Sequence, residues 1–350
     1  MTLELKLRDN IWPFDENAFY HELQQAKKQG LLPDQFKSPL HVMWELTSRC
    51  NQQCVHCFND SGSSRLNCDL ELDKLVDIAD ELIRLQIIAI CMTGGEVLLL
   101  GDTFFQLAHK LRNAGIMIGM VTNGMLVEEK VGRKLGECFD RVQVSIDGAC
   151  AETHDFIRGR SGAFKKALNA LDVLAANNIE VSVAFTVCDR NYAEVDHFIE
   201  LMVERKCVEI VRFQPMAAIG RGNKCLISPP DRKKWDELVE KINLIRQELS
   251  KKLMIQCLDP TLQIVTMRDE KVPNFFVEIM SNGQVRGSPY IPLISGDLRI
   301  NTLEEIWHDN KLCDFWSLDC VQEMTKHISW YGDFCKGDYV AWVDDIVNPL

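Results

Sequence analysis

The stretch HVMWELTSRCNQQCVHCF, residues 41–58, joins a predicted β-strand to a group of three cysteines. Its first seven residues are mostly apolar and bulky, as in a strand that packs within a sheet. Cys50, Cys54 and Cys57 follow with the spacing CxxxCxxC, and no fourth cysteine comes directly after them. The stretch therefore predicts a strand whose carboxyl end delivers three thiols to one loop.

Three thiols at this spacing leave several kinds of site open. A structural zinc ion normally takes four protein ligands, and His56, beside Cys57, is poorly placed to supply the fourth. Cysteine pairs of the CxxC type also occur in redox proteins and by chance. An iron–sulfur cube held by three thiolates leaves one iron without a protein ligand, and that iron can bind a small molecule.

From about residue 40 to residue 213, short apolar segments alternate with longer amphipathic ones. The predicted strands cover residues 41–47, 87–93, 116–122, 141–147, 179–187 and 208–213. The predicted helices cover residues 68–86, with Asp69 as N-cap, 102–114, 126–135, 161–177 and 192–206. Such alternation favours parallel strands joined by right-handed crossovers. An open doubly wound sheet and a full or partial barrel both satisfy it, and both gather functional residues at the carboxyl ends of the strands.

The pattern changes after residue 215, and we predict three parts of the chain. Residues 1–37 form an N-terminal extension, residues 38–258 the core domain, and residues 259–350 a small, loop-rich C-terminal domain. Within the last part, residues 275–288 are typical of a β-hairpin that turns at Asn282-Gly283.

Small and polar residues follow the next predicted strands where each one ends. TGGE (93–96) contains two glycines, which let a ligand approach the backbone, and Glu96, which can accept hydrogen bonds from an ammonium group. The following two strand ends add polar side chains to the same edge, namely Asn123 in TNG and both Ser145 and Asp147 in VSIDG. This set suits a small zwitterionic ligand bound against a metal.

The composition limits the possible partners and locations. The chain has 350 residues, a net charge of -12 and an isoelectric point near 5.2, so nucleic acid and anionic membranes would repel it overall. No apolar run approaches the ~20 residues that span a bilayer, and the N-terminus lacks a signal-peptide core. We therefore expect a cytoplasmic protein whose fourteen cysteines stay reduced, with no nucleic-acid or membrane partner.

The cysteine spacing followed by the aromatic Phe58, then by GGE and SIDG, resembles radical S-adenosylmethionine (SAM) enzymes over about residues 38–215. The resemblance implies a partial (β/α)6 barrel and a [4Fe–4S] cluster held by Cys50, Cys54 and Cys57. It implies that SAM chelates the open iron through its amino and carboxylate groups. In such enzymes the reduced cluster cleaves SAM, and the 5′-deoxyadenosyl radical abstracts a hydrogen atom from a substrate carbon.

The same resemblance assigns residues at the strand ends to SAM. Its amino group would be received by Gly94, Gly95 and Glu96, its ribose would lie near Ser145, and its adenine near Phe58. Further cofactor-binding candidates are Asn123, Asp147, Arg158 and Arg221, of which Arg221 is a candidate for the SAM carboxylate. Each of these assignments has an alternative. Asn123, Ser145 and Asp147 could be ordinary turn residues, and Glu96 a carboxylate at a helix end. Arg158 could be a solvated charge and Arg221 a loop residue.

A narrower resemblance concerns the C-terminal part. HDFIRGRSGAF (154–164) and SNGQVRGSPYIPLISGDLRINTLEEIWHD (281–309) are similar to segments of radical SAM enzymes with a SPASM-type domain. Ser288 stands where this family often has a cysteine, so we interpret the domain as degenerate and expect no auxiliary cluster. Four other cysteines outside the family's spacings stay open as loop thiols or ligands, namely Cys225, Cys313, Cys320 and Cys335.

Many enzymes of this type modify ribosomally made peptides, and a maturase that epimerises or crosslinks a peptide is our first prediction. Its partners would be the peptide, a separate leader-recognition protein and an electron donor such as flavodoxin or ferredoxin. A radical SAM dehydrogenase or decarboxylase acting on a small metabolite, and a non-catalytic iron–sulfur sensor or scaffold, are the alternatives. Cys188, at the end of the fifth predicted strand, is a candidate hydrogen donor or a small core residue.

Overall fold

The computed structural model describes residues 16–62, 69–223, 226–249, 252–309, 311–333 and 341–342. Within these ranges the chain forms a mixed sheet of ten strands in the order β11-β9-β8-β1-β2-β3-β4-β5-β6-β7, and a separate pair, β10-β12. The strands are β1 His41–Glu45, β2 Ala89–Thr93, β3 Met117–Thr122, β4 Arg141–Ser145, β5 Glu180–Val187, β6 Val208–Pro215, β7 Met254–Cys257, β8 Phe276–Ile279, β9 Gln284–Arg286, β10 Leu293–Ile294, β11 Gly296–Asp297 and β12 Ala341–Trp342.

Helices connect these strands and cover the sheet. They are α1 Glu16–Lys28, α2 Leu72–Arg84, α3 Asp102–Asn113, α4 Glu129–Cys138, α5 Ala151–Arg158, α6 Ala163–Ala176, α7 Val195–Glu204, α8 Arg232–Leu249, α9 Pro260–Asp269, α10 Leu303–His308 and α11 Asp319–Thr325. The core strands are rich in apolar residues, such as Val181 and Val183, that are fully buried because layers pack on both faces. No helix in the described part of the chain is long and apolar enough to cross a membrane.

The order of the strands decides between the two architectures that the sequence allows. Strands β1 to β6 are neighbours in chain order, and every adjacent pair among them is parallel. A doubly wound sheet reverses its strand order at a switch point, whereas a barrel does not. The sheet is therefore a barrel-type sheet, and it stays open because β7 and β11 form its two edges.

The sheet extends beyond the six predicted strands. Strand β7 pairs in parallel with β6, and β8 pairs in parallel with β1, where Val42 lies opposite Val277. The predicted hairpin is present, since β9 runs antiparallel to β8 and Gly283 in the turn has a positive φ of 88°. Part of the segment that we assigned to the C-terminal domain thus shares the core sheet.

One predicted helix start is wrong. Helix α2 begins at Leu72 rather than near residue 68, and Glu71 is its N-cap. Asp69 instead accepts hydrogen bonds from the Thr47 hydroxyl at 2.5 Å and from the Ser48 backbone at 2.8 Å. Its carboxylate therefore fixes the beginning of the cysteine loop, which we define as residues 46–62.

Candidate active site

A cavity of about 320 Å³ lies at the carboxyl ends of the core strands, within the range of small-molecule sites. All three cysteines of the motif, Cys50, Cys54 and Cys57, line it. The next strand ends contribute glycine backbone, Asn123 and Ser145 to the same wall. The structure therefore brings together most of the residues that the sequence assigns to the cluster and to SAM.

Each motif thiol has a nitrogen donor within sulfur hydrogen-bond distance. The Asn123 amide lies 3.9 Å from the Cys50 sulfur, and an Arg158 nitrogen lies 3.9 Å from the Cys54 sulfur. The backbone N–H of Ser61 donates to the Cys57 sulfur at 3.3 Å. Donors of this kind stabilise negative charge on sulfur, so they fit thiolate ligands better than neutral thiols.

The geometry of the three thiols does not match a site for a single metal ion. Among the described residues, no group of three or more His, Cys, Asp or Glu side chains converges as one metal ion requires. Thiolates of an iron–sulfur cube bind different irons, so they need not converge on one point. Burial raises the pKa of Cys50 to about 11 and also raises the pKa of Cys54. Cluster binding would therefore release protons from these thiols.

Asp147 does not line the cavity, and its assignment as a SAM-binding residue stays a prediction. Its carboxylate is fully buried and lies 2.7 Å from an Arg158 nitrogen and 2.7 Å from His56 Nε2. It also accepts a hydrogen bond from the Thr186 backbone at 2.8 Å. Burial alone would raise the pKa of Asp147, but Arg158 and His56 hold it below its usual range. Asp147 thus ties the end of β4 to the middle of the cysteine loop.

This network also changes the roles of its two partners. Arg158 lines the cavity but is 8% exposed, and its guanidinium joins Asp147 to Cys54. His56, which adjoins Cys57, is an anchor of the loop through Asp147. Only the tertiary contact reveals this role, because His56 has no partner nearby in the sequence.

The glycine pair after β2 allows close contact between two backbones. A Cβ on Gly94 would lie 2.5 Å from the Thr47 carbonyl oxygen, and one on Gly95 would lie 2.1 Å from that of Arg49. The Gly95 N–H donates to the Thr47 carbonyl at 2.7 Å. Both glycines line the cavity, so their backbone is available to a ligand while it supports the cysteine loop.

The Glu96 carboxylate does not line the cavity, and its assignment to the SAM amino group stays a prediction. It is fully buried and accepts bonds from the Thr122 hydroxyl at 3.0 Å, the Asn123 backbone at 2.9 Å and the Leu98 backbone at 3.2 Å. Burial raises its pKa, and these hydrogen bonds oppose the rise. Glu96 therefore holds the end of β3 in position, and Asn123 with it.

Arg221 lines the cavity, but its hydrogen bonds in the described structure go to the cysteine loop. The guanidinium donates to the Cys54 carbonyl at 2.9 Å and to Asp60 and the Ser61 carbonyl at 2.8 Å each. Its backbone N–H donates to the Cys57 carbonyl at 2.9 Å. These contacts make Arg221 a clamp on the loop, and its contact with the SAM carboxylate stays a prediction.

The structure does not bring Cys188 to the cavity. Its thiol is buried in a small apolar cluster with Ile157, Met216 and Ile227, and burial raises its pKa to about 12. This position fits the alternative of a small core residue, and the assignment as hydrogen donor stays a prediction. Of the other cysteines, Cys313 and Cys320 pack against the core, and Cys225 and Cys335 lie outside the described residues.

The hairpin supplies a wall of the cavity that the sequence did not predict. Pro289 and Tyr290 line the cavity, and the ring of Tyr290 meets Phe58 edge-on with 5.8 Å between centroids. Glu278 in β8 also lines it and forms a buried ion pair with Arg286 of β9. Glu45, at the end of β1, shares a hydrogen bond with Glu278. This wall combines the buried carboxylate of Glu278 with the half-buried Pro289 and Tyr290, and it adjoins the cysteine loop at Phe58.

Comparison with known proteins supports the resemblance to radical SAM enzymes. A model of the radical SAM superfamily matches residues 44–202. The AdoMet-dependent heme synthase of Methanosarcina barkeri is 29% identical over 294 residues, which are 78% of this chain and 83% of that protein. The mycofactocin maturase MftC of Mycobacterium tuberculosis is 35% identical over 188 residues, which are 53% of this chain and 46% of that protein. The chain thus matches less than half of the length of the maturase.

A solved structure shares the fold over most of the chain. SuiB of Streptococcus suis, bound to S-adenosylmethionine, superposes on this chain with a TM-score of 0.69 at 14% sequence identity. The superposed part covers 93% of this chain and 77% of the SuiB chain. The predicted partial barrel is therefore confirmed. Fold and site define an α/β partial-barrel protein with a three-cysteine site. Residues 44–202 of the chain belong to the radical SAM superfamily.

Proposed function

We propose that this radical SAM enzyme modifies a peptide, by epimerisation or crosslinking. The observation that carries the proposal is a single cavity with two unlike walls, a thiol wall at the cysteine loop and a polar wall from the hairpin. The first would hold a [4Fe–4S] cluster on Cys50, Cys54 and Cys57. The second leaves a buried carboxylate, Glu278, facing the space where a substrate would lie.

The residues present fit such a cluster. Three buried or half-buried thiols each have a nitrogen donor, and the glycine pair exposes backbone beside them. When bound, the cluster would supply one electron to SAM, and the 5′-deoxyadenosyl radical so formed would remove hydrogen from the substrate. The chain's own residues would orient the ligands and exclude water: Asn123, Ser145 and the glycine backbone line the cavity where SAM would bind, and Phe58 would flank it.

The polar wall supports a peptide over a substrate rich in carboxylates. Glu278 accepts hydrogen bonds, so it suits the N–H groups of a peptide or an amine. Arg286 and the shared hydrogen bond with Glu45 hold it in place. MftC is a mycofactocin maturase, and AlbA of Bacillus subtilis, which is 28% identical over 167 residues, is an antilisterial bacteriocin subtilosin biosynthesis protein. We extend peptide maturation from these relatives to this chain.

A second candidate function is oxidation or decarboxylation of a small metabolite such as a tetrapyrrole. The specific observation in its favour is the heme synthase, which this chain matches over 83% of that protein's length. A tetrapyrrole bears carboxylate side chains, and those would face the Glu278 carboxylate across the cavity.

For the C-terminal part, we propose a degenerate SPASM-like domain without an auxiliary cluster. Ser288, which replaces the family's frequent cysteine, is fully buried. About four irons per reconstituted chain would agree with one cube, and about eight would contradict this part of the proposal. A flavodoxin or ferredoxin as reductant, a leader-recognition partner and a cytoplasmic location belong to the same proposal.

Anaerobic reconstitution with iron, sulfide, a strong reductant and SAM tests the proposed function. We expect 5′-deoxyadenosine and methionine in equal amounts, and no cleavage with an intact cluster would favour the sensor alternative. Co-expression with a neighbouring short open reading frame, followed by mass spectrometry of the peptide, tests the substrate. A changed peptide mass supports the maturase. Stimulation of SAM cleavage by iron-coproporphyrin III, with no change in the peptide, supports the second candidate.

A further inference from the structure

Gln52 lies inside the cysteine motif, between Cys50 and Cys54, and is 2% exposed. It lines the cavity together with the three thiols. In the described part of the chain its Nε2 has no hydrogen-bond partner. A buried amide N–H without an acceptor costs about 1–3 kcal/mol, so such a group at a cavity wall indicates a bound acceptor.

The oxygen of the same amide lies beside the Cys54 sulfur, which becomes an acceptor once it has lost its proton. The Cys54 thiol donates to Gln52 Oε1 with 3.6 Å between sulfur and oxygen. A thiolate ligand has no S–H, so this bond is lost as soon as Cys54 binds iron. Rotating the amide by half a turn exchanges its oxygen and nitrogen, which places an N–H donor at the same distance from the sulfur.

We propose that Gln52 is a positioning residue that donates an N–H···S hydrogen bond to cluster-bound Cys54 and thereby raises the reduction potential of the cluster. The proposal rests on the proposed cofactor. Cys54 then receives two side-chain donors, Gln52 and the Arg158 guanidinium, whereas Cys50 receives the Asn123 amide. Hydrogen bonds to ligand sulfur stabilise the reduced state more than the oxidised one because the reduced cluster carries more negative charge.

The neighbouring glutamine provides a matched control. Gln53 has the same side chain in the same loop, but it does not line the cavity, and its Nε2 donates to the Gly62 carbonyl at 3.0 Å. A substitution there perturbs the loop without removing a donor from the cavity. Any effect of Gln52 on the cluster should therefore be absent at Gln53.

The test is an EPR-monitored redox titration of the reconstituted wild type and of Gln52→Leu, Gln52→Met and Gln53→Leu. We expect both Gln52 variants to keep wild-type iron content and to shift the midpoint potential to more negative values, with Gln53→Leu unchanged. Gln52→Met fills the space of glutamine without an N–H donor, so its midpoint potential tests the proposal if Gln52→Leu loses iron. A wild-type potential in either iron-loaded Gln52 variant, or an equal shift in Gln53→Leu, overturns the proposal.

Urea unfolding of the metal-free chains adds a second measurement. Because Gln52→Leu removes an unpartnered buried donor and only a weak S–H···O bond from Cys54, its metal-free form should be about as stable as wild type. A marked loss of stability would show that Gln52 is a structural residue and would count against the proposal. A wild-type chain that binds no iron at all would instead refute the proposed cofactor, and so the two failures are distinguishable.

Discussion

The cysteine loop after β1 and the hairpin β8-β9 meet at the same cavity from neighbouring parallel strands, yet they differ in chemistry. The loop presents three thiols, each with an N–H donor beside it. The hairpin presents Glu278, whose negative charge is already balanced by Arg286, and the buried Ser288 follows. Donors that face thiols prepare a place for a negatively charged cluster, whereas a balanced ion pair needs no metal. The comparison separates the half that would perform the chemistry from the half that would receive the substrate.

The largest expected effect concerns the thiol wall. Cys54→Ala should abolish both iron binding and SAM cleavage, because the cube would lose one of its three protein ligands. Iron content and 5′-deoxyadenosine release measure the two losses. Cys150→Ala is the control, since that thiol is exposed and does not line the cavity. Activity retained in Cys54→Ala would show that the loop is not the metal site.

The next effect concerns the anchor of the cysteine loop. Asp147→Ala should lower the free energy of unfolding of the metal-free chain by about 3 kcal/mol, because it leaves the buried Arg158 guanidinium uncompensated. Urea denaturation measures this loss. Asp140→Ala removes an aspartate that is 83% exposed in its pair with Arg112 and should cost less than about 1 kcal/mol. Equal costs at the two positions would mean that the Asp147 network does not anchor the loop.

A pH effect should arise on the hairpin side. Burial raises the pKa of Glu45 to about 8, Glu278 adds repulsion, and Arg286 opposes the rise. The native state therefore keeps a proton that the unfolded chain releases near pH 4.5, and stability falls as the pH rises from about 4.5 to 8. The slope should be at most about 1.4 kcal/mol per pH unit.

Glu45→Gln should flatten this slope, because glutamine does not titrate. Unfolding free energies at several pH values between 5 and 8 compare it with wild type. Glu304→Gln is the matched control, because that carboxylate is 50% exposed in its pair with Arg84. An unchanged slope in Glu45→Gln would show that Glu45 is not the group that causes the pH dependence of stability.

The smallest effect lies where the two regions touch. Tyr290→Ala removes the ring that meets Phe58 edge-on, and such contacts contribute about 0.5–1.5 kcal/mol. If Phe58 flanks SAM as proposed, SAM binding should weaken about 2- to 10-fold, which calorimetry can measure. The control is Phe156→Ala, at a ring that is 40% exposed, which should leave the SAM affinity unchanged. Unchanged SAM affinity in Tyr290→Ala would show that Tyr290 does not support SAM binding through Phe58.

The sequence predicts what depends on local spacing. The strand–helix alternation gives all six core strands, and the CxxxCxxC spacing gives three thiols that line one cavity. Glu96 and Asp147 sit at the predicted edge, but both carboxylates turn into the protein. A position at a strand end fixes the edge to which a residue belongs, not the direction of its side chain.

Contacts between distant segments explain the other differences. The pairing of Asp147 with His56, and of β8 with β1, joins parts of the chain that have no common local pattern. The second cavity wall, with Glu278 and Tyr290, follows from that pairing and could not be read from the sequence. The predicted N-cap at Asp69 is wrong for the same reason, because the Asp69 carboxylate accepts hydrogen bonds from Thr47 and Ser48 instead.

The pairing of β1 with β8 has a consequence for biosynthesis. Strand β1 and its cysteines leave the ribosome early, but the strand that covers this side of the sheet is made only after residue 275. Contacts so far apart in the chain form late in folding, because the entropy of closing so long a loop must be overcome first. We therefore expect the nascent chain to keep a wide entrance beside the three thiols, through which iron and sulfide can be delivered before the hairpin narrows it.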